Sequence, residues 1–216
     1  GAEANENALK LASFHNGKTK ILAFKNSFHG RTSAAVVATD NPKIVAPLNA
    51  QQDVDFVELG DLKSVETILK TDKTSAVIIE CIQGVGGLDE STTEFYQGLE
   101  KLCKQYNTIL IADEVQSGFG RTGDFFAFQK HNITPDIISI AKGMGNGFPV
   151  GGILIHPSIK ASFGLLGTTF GGNHLACAAT LSVLDVIEKE NLMQNASDIS
   201  NYFKEKAKGL PQLKSI

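Results

Sequence analysis

The 216-residue sequence predicts an α/β fold, a mostly parallel sheet flanked by helices. Three observations carry that expectation. Short apolar runs alternate with helical stretches along the chain. One run, Ile109-Leu110-Ile111-Ala112, shows no polar/apolar alternation, as in a strand buried on both faces. Glycines gather just after the runs: Gly84, Gly86 and Gly87 after the third, Gly118, Gly120 and Gly123 after the fourth, Gly143, Gly145 and Gly147 after the fifth. Such loops admit positive φ and close backbone approach, so they could wrap a ligand along one sheet edge.

In chain order, Ala8, Leu9, Leu11 and Ala12 mark a first helix. Residues 20–25 read as a strand, 31–39 as a short helix, 56–59 as a strand, and 61–70 as a helix capped by Asp61. A strand at 76–80, a helix at 93–106 and the strand at 109–113 follow. Next come a helix near 125–131, a strand at 136–141 and one at 152–155. A long helix at 175–190 and a last one at 196–208 complete the pattern. Residues 1–6 enter a helical pattern without an initiator Met, and 210–216 look like a strand just beginning. Both ends are therefore read as cut from a longer chain.

Bulk properties narrow the function classes. A 42% hydrophobic content supports a sizeable α/β core. Lys+Arg is 20 against Asp+Glu 23, a net charge of -3, which is no footprint for nucleic acid or an anionic membrane. No apolar run reaches the roughly 18 residues of a membrane helix. Cys81, Cys103 and Cys177 are scattered and form no CxxC pair, so no metal site is expected and a reducing cytoplasm is the plain reading. GxGxxG in a strand-to-helix setting and GxxxxGK[ST] are both missing, which disfavours Rossmann and P-loop chemistry.

The chemistry concentrates at two strand ends. Asp113 and Glu114 close the apolar run, at the edge where open α/β sheets bind ligands. A carboxylate there is costly unless something cationic meets it. Lys142 closes the next strand, in "IISIAKGMGNGFP". It reads either as a solvated lysine at a strand exit or as a desolvated nucleophile suited to Schiff-base chemistry. An acid and an amine facing one crevice are what pyridoxal phosphate needs: the lysine holds the aldehyde, and the acid keeps the pyridine nitrogen protonated.

The stretches "ADEVQSGFGRTG" and "SIAKGMGNGFPVGG" resemble the class III pyridoxal-phosphate aminotransferases, which act on ω-amines. "NSFHGRT" at residues 26–32 and "GTTFGGNHLACAA" at 167–179 look like the acetylornithine and succinylornithine aminotransferases of arginine metabolism. "GAEANENALKLA" resembles that family's phosphate cup, without the serine that normally precedes the glycine.

The resemblance implies the large domain of fold-type I pyridoxal-phosphate enzymes. Residues 1–216 would be its central portion, with the N-terminal segment and the C-terminal small domain absent. Lys142 matches the cofactor-holding lysine and Asp113 the pyridine-nitrogen partner, with Glu114 beside it at the cofactor. Phe28 and Val115 match the residues on the two ring faces, and Gln116 the one near the ring hydroxyl. Gly1 and Ala2 match the phosphate-binding amides at a helix start. Thr169 matches a threonine that reaches the phosphate of the neighbouring subunit in a homodimer. Arg31 matches the arginine that grips a substrate carboxylate, with Glu80 and Thr168 on the substrate side. His29 and the other histidines are read as structural. The implied reaction moves the δ-amino group of an N-acylornithine to 2-oxoglutarate.

The chain departs from the family pattern at Cys81 (usually proline), Val85 (usually an acid) and His174 (commonly proline). Other readings stay open at this stage: an ornithine or other ω-amino acid aminotransferase, a mutase or decarboxylase on the same scaffold, and a truncated α/β domain without turnover.

Overall fold

The computed structural model describes residues 1–160 and 162–210; the strand expected at the C-terminal end falls almost wholly outside them. A six-stranded sheet runs through the centre in the order β2-β1-β3-β4-β5-β6. The strands are β1 (Lys20–Phe24), β2 (Val54–Val57), β3 (Thr74–Ile79), β4 (Ile109–Asp113), β5 (Ile137–Ile140) and β6 (Gly152–Ile155). The first five are parallel, and β6 closes the edge antiparallel to β5. A mostly parallel α/β fold is what the sequence predicts.

The helices are α1 (Ala2–Asn16), α2 (Ser33–Val37), α3 (Leu62–Leu69), α4 (Thr93–Gln105), α5 (His174–Lys189) and α6 (Leu192–Ala207). Asp61 caps α3 as expected, its Oδ1 accepting the Ser64 amide at 3.0 Å. Two expected helices are smaller than the pattern implied. Residues 31–39 yield only the five-residue α2, and 125–131 form a 3-10 helix, Ala127–His131.

Alternation along each buried strand builds two cores. Leu22, Phe24, Val77, Ile79, Leu110 and Ala112 face α3 and α4. Ile21, Ala23, Ala76, Ile78, Ile109 and Ile111 face α1. Every residue of β3 and β4 is buried, which explains why neither strand shows a polar face. Neighbouring residues on a strand point to opposite layers. That rule governs the site.

Candidate active site

The chain passes from β1 to one side for β2, then returns past β1 for β3, β4 and β5. Ligands in open α/β sheets bind beyond the strand carboxyl ends near such a reversal. The loops after β1, β3, β4 and β5 converge there on a cavity of about 1170 Å³. Each brings a predicted residue: Phe28 and Arg31, then Glu80, then Asp113, Val115 and Gln116, then Lys142. Gly1 and Ala2, at the start of α1, and Thr168 also line it.

Asp113 continues the odd-numbered face of β4, the face that α1 covers. It is buried, and its Oδ2 accepts from Asn5 Nδ2 of α1 at 2.7 Å. His29 Nδ1 lies 2.8 Å from the same oxygen, and Oδ1 accepts the Val115 amide at 3.0 Å. A carboxylate has about four lone-pair positions, so one remains for a further donor. Among the described residues no lysine or arginine pairs with Asp113. The site therefore holds a buried acid that can take one further, preferably cationic, donor. The protonated ring nitrogen of pyridoxal phosphate fits that requirement.

Glu114 corrects the sequence expectation. Its even-numbered position turns it to the opposite face, away from the cavity. Its Oε2 accepts from the Ser117 hydroxyl at 2.6 Å and the Ala127 amide at 3.1 Å, while Oε1 accepts the Phe128 amide at 3.0 Å. Burial pushes its pKa up, and those three donors pull against the shift. Glu114 caps the 3-10 helix; it is not placed to touch a cofactor.

Glu80 lies on the cavity side, with both oxygens engaged. Oε1 accepts the Phe28 amide at 2.9 Å and Oε2 the Gly84 amide at 3.1 Å, so it ties two loops together. Burial raises its pKa, opposed chiefly by nearby His29. Lys142 follows β5, exposed to the cavity, with a left-handed backbone (φ 44) and its Nζ donating to Gln116 Oε1. Thr169 is exposed and does not line the cavity of its own chain.

The sequence reading passed over Asn5 and left His29 as structural, yet both bond the key acid. Asn5 carried a signal: it is a polar residue among Ala4, Ala8, Leu9 and Ala12, the buried stripe of α1. Its Nδ2 also donates to the His29 carbonyl at 2.7 Å, joining helix, loop and strand through one amide. Among the described residues, Asn5 Oδ1 and His29 Nε2 are buried and find no hydrogen-bond partner.

An acid at the end of β4 and a lysine just beyond the neighbouring parallel β5 thus line one cavity beside a helix start, at the ligand-binding edge of an open α/β sheet. The model of the class-III aminotransferase family matches residues 1–215, and the chain belongs to that family. It is 43% identical to the acetylornithine aminotransferase of Aquifex aeolicus over 97% of this chain and 57% of that protein. The Bacillus subtilis acetylornithine aminotransferase is 40% identical over 95% and 54% respectively. The chain thus spans about half the length of the curated relatives it matches. Among solved structures, an ornithine aminotransferase from Toxoplasma gondii with partial PLP occupancy superposes with a TM-score of 0.91 at 27% identity. That match covers 100% of this chain and 55% of the other. An ω-transaminase from Thermomicrobium roseum gives 0.87 at 28% identity, over 99% and 55%.

Proposed function

We propose that this chain is the cofactor-binding part of a pyridoxal-phosphate aminotransferase that moves the δ-amino group of an N-acylornithine to 2-oxoglutarate. The pathway would be cytoplasmic arginine biosynthesis. One observation carries the reading: Asp113 ends β4, Lys142 lies two residues beyond the neighbouring parallel β5, and both line the same cavity. Pyridoxal phosphate, when bound, supplies an aldehyde that takes up the amino group and a ring that accepts electrons.

The chain's own residues do the rest. Lys142 Nζ would hold the aldehyde and would serve as the proton-moving base and then acid. Gln116 orients that amine. Asp113 would hold positive charge at the ring nitrogen, and the backbone nitrogens of Gly1 and Ala2, at the start of α1, would receive the phosphate. Phe28 and Val115 flank the ring; Arg31, with Thr168 and Glu80, serves the substrate. Thr169 would complete the neighbouring site of a homodimer.

Val85 refines the substrate. It is 70% exposed and lines the cavity where the family usually places an acid. An apolar residue there leaves a substrate-binding cation unneutralised, so a donor that brings a second carboxylate, such as N-succinylornithine, is favoured, and free ornithine, whose α-ammonium adds positive charge instead, is handled poorly. Two measurements test the reading. Borohydride reduction with pyridoxal phosphate should place the label on Lys142; a label elsewhere would sink the assignment. In the complete protein, kcat/KM should be at least as high for N-succinylornithine as for N-acetylornithine, and lower for ornithine than for either. A preference for ornithine, unchanged in Val85→Glu, would overturn the substrate reading.

A further inference from the structure

Arg31 precedes a helix of only five residues, α2. A helix that short has no stability of its own, so its starting point must be fixed from outside. Its N-cap residue, Thr32, makes no side-chain cap bond. The Thr32 hydroxyl instead donates to Glu6 Oε2 of α1 at 2.8 Å, with the Ala2 carbonyl 3.3 Å away.

Glu6 supplies the cap that Thr32 does not. Its Oε2 accepts the Ala34 amide at 2.8 Å and the Ala35 amide at 3.2 Å, and its Oε1 accepts the Ala34 amide at 3.0 Å. On the other side of Arg31, Gly30 (φ 137) packs so closely on α1 that an added Cβ would sit 2.6 Å from the Ala2 Cβ. The backbone around Arg31 is thus held against the first two turns of α1, from Gly30 before it and Thr32 after it.

We propose that Glu6 is a positioning residue: by capping α2 from another helix, it sets where Arg31 presents its guanidinium to a substrate carboxylate. This rests on the reading of Arg31 as the carboxylate-gripping arginine of the aminotransferase proposed above. The carboxylate matters chemically. Gln at position 6 would keep one acceptor and turn an NH2 donor toward backbone N–H groups. Bidentate recognition is sensitive to small displacements, so the loss should fall on substrates that use the grip.

The test uses the complete protein loaded with pyridoxal phosphate and two donors, N-acetylornithine and N-acetyl-1,4-diaminobutane, which has the same amine and no carboxylate. Glu6→Gln should raise KM for the acid donor about tenfold with kcat changed less than about threefold. The donor lacking the carboxylate should change no more than about twofold. Thr32→Val, which removes one donor to Glu6 and leaves the rest, should show the same selective loss at about threefold and serves if Glu6→Gln does not fold.

A second readout needs no turnover: calorimetric binding of glutarate to the cofactor-free protein, expected to weaken about tenfold in Glu6→Gln and in Arg31→Gln. Equal losses for both donors, or glutarate affinity unchanged in Glu6→Gln, would overturn the proposal. A wild-type protein that transaminates neither donor refutes the aminotransferase reading instead. In that event, glutarate binding lost in both variants still supports the role of Glu6, and binding lost only in Arg31→Gln, or absent from wild type, refutes it.

Discussion

The central sheet and the α5–α6 helix pair follow opposite rules. Strands β3 and β4 are buried from end to end. In α5 only Ala176 and Ile187 are buried, and in α6 only Ala207. Leu175, Leu181, Val186, Ile199, Tyr202 and Phe203 all stand open to solvent. The sheet is therefore stabilised by contacts this chain makes with itself, whereas the helix pair draws little on its own apolar residues. The residues proposed for chemistry sit almost entirely on the self-sufficient side.

The contrast predicts unequal responses to mutation. Leu110→Ala, in β4, should lower stability by about 2–5 kcal/mol in a urea melt, because the packed layer around it cannot collapse into the gap. A loss below about 1 kcal/mol would mean that the sheet is looser than its burial implies. Asp113→Asn should reduce kcat of the complete protein by about two decades, roughly 2.7 kcal/mol of barrier, since an amide cannot hold a cationic ring nitrogen. Near-native turnover would remove Asp113 from its role.

Glu114→Gln should cost about 1–3 kcal/mol of stability through its three donors while leaving pyridoxal phosphate affinity unchanged. A weakened affinity without a stability loss would reverse the assignment of the two adjacent carboxylates.

Glu80 gives a pH signature. Its folded pKa is raised, so the folded state holds that proton more tightly than the unfolded chain does. Stability from the protonated form is complete below the unfolded value, about 4.3, and is lost as pH rises through the folded value. Relative to Glu80→Gln, which cannot ionise, the wild type should therefore lose stability as pH climbs from about 4. Denaturant melts at several pH values check this, and a gap that moves the other way would contradict the burial argument.

The smallest effect is expected in the helix pair. Tyr202→Ala should change the stability of this chain by no more than about 0.5 kcal/mol. A larger loss would show that α6 depends on packing more than its exposure indicates.

Much of the fold is legible in the residues because buried parallel strands leave an unmistakable trace: short apolar runs broken by glycine loops. The ends of β4 and β5 put Asp113 and Lys142 at one edge for the same reason. The layer each side chain enters was harder to read. In Ile109-Leu110-Ile111-Ala112 no polar partner marks a face, so nothing local distinguishes Asp113 from Glu114. The parity of the strand does, once α1 is known to cover the odd-numbered side. Asn5 and His29 escaped because their importance lies in long-range bonds to Asp113, 108 and 84 residues away in sequence. The helix over 125–131 came out as a 3-10 turn because it is fastened by Glu114 at its start and ended by left-handed Asn132.

Lys142 sits at φ 44, a region that non-glycine residues with a Cβ enter only at a cost of about 1–2 kcal/mol. Replacing it with alanine removes the amine and keeps that backbone debt, while glycine removes the amine and cancels the debt. Two knockouts of the same nucleophile should thus differ in thermal midpoint, with Lys142→Gly the more heat-resistant. At this position the chain accepts a less comfortable backbone in exchange for where it aims one nitrogen.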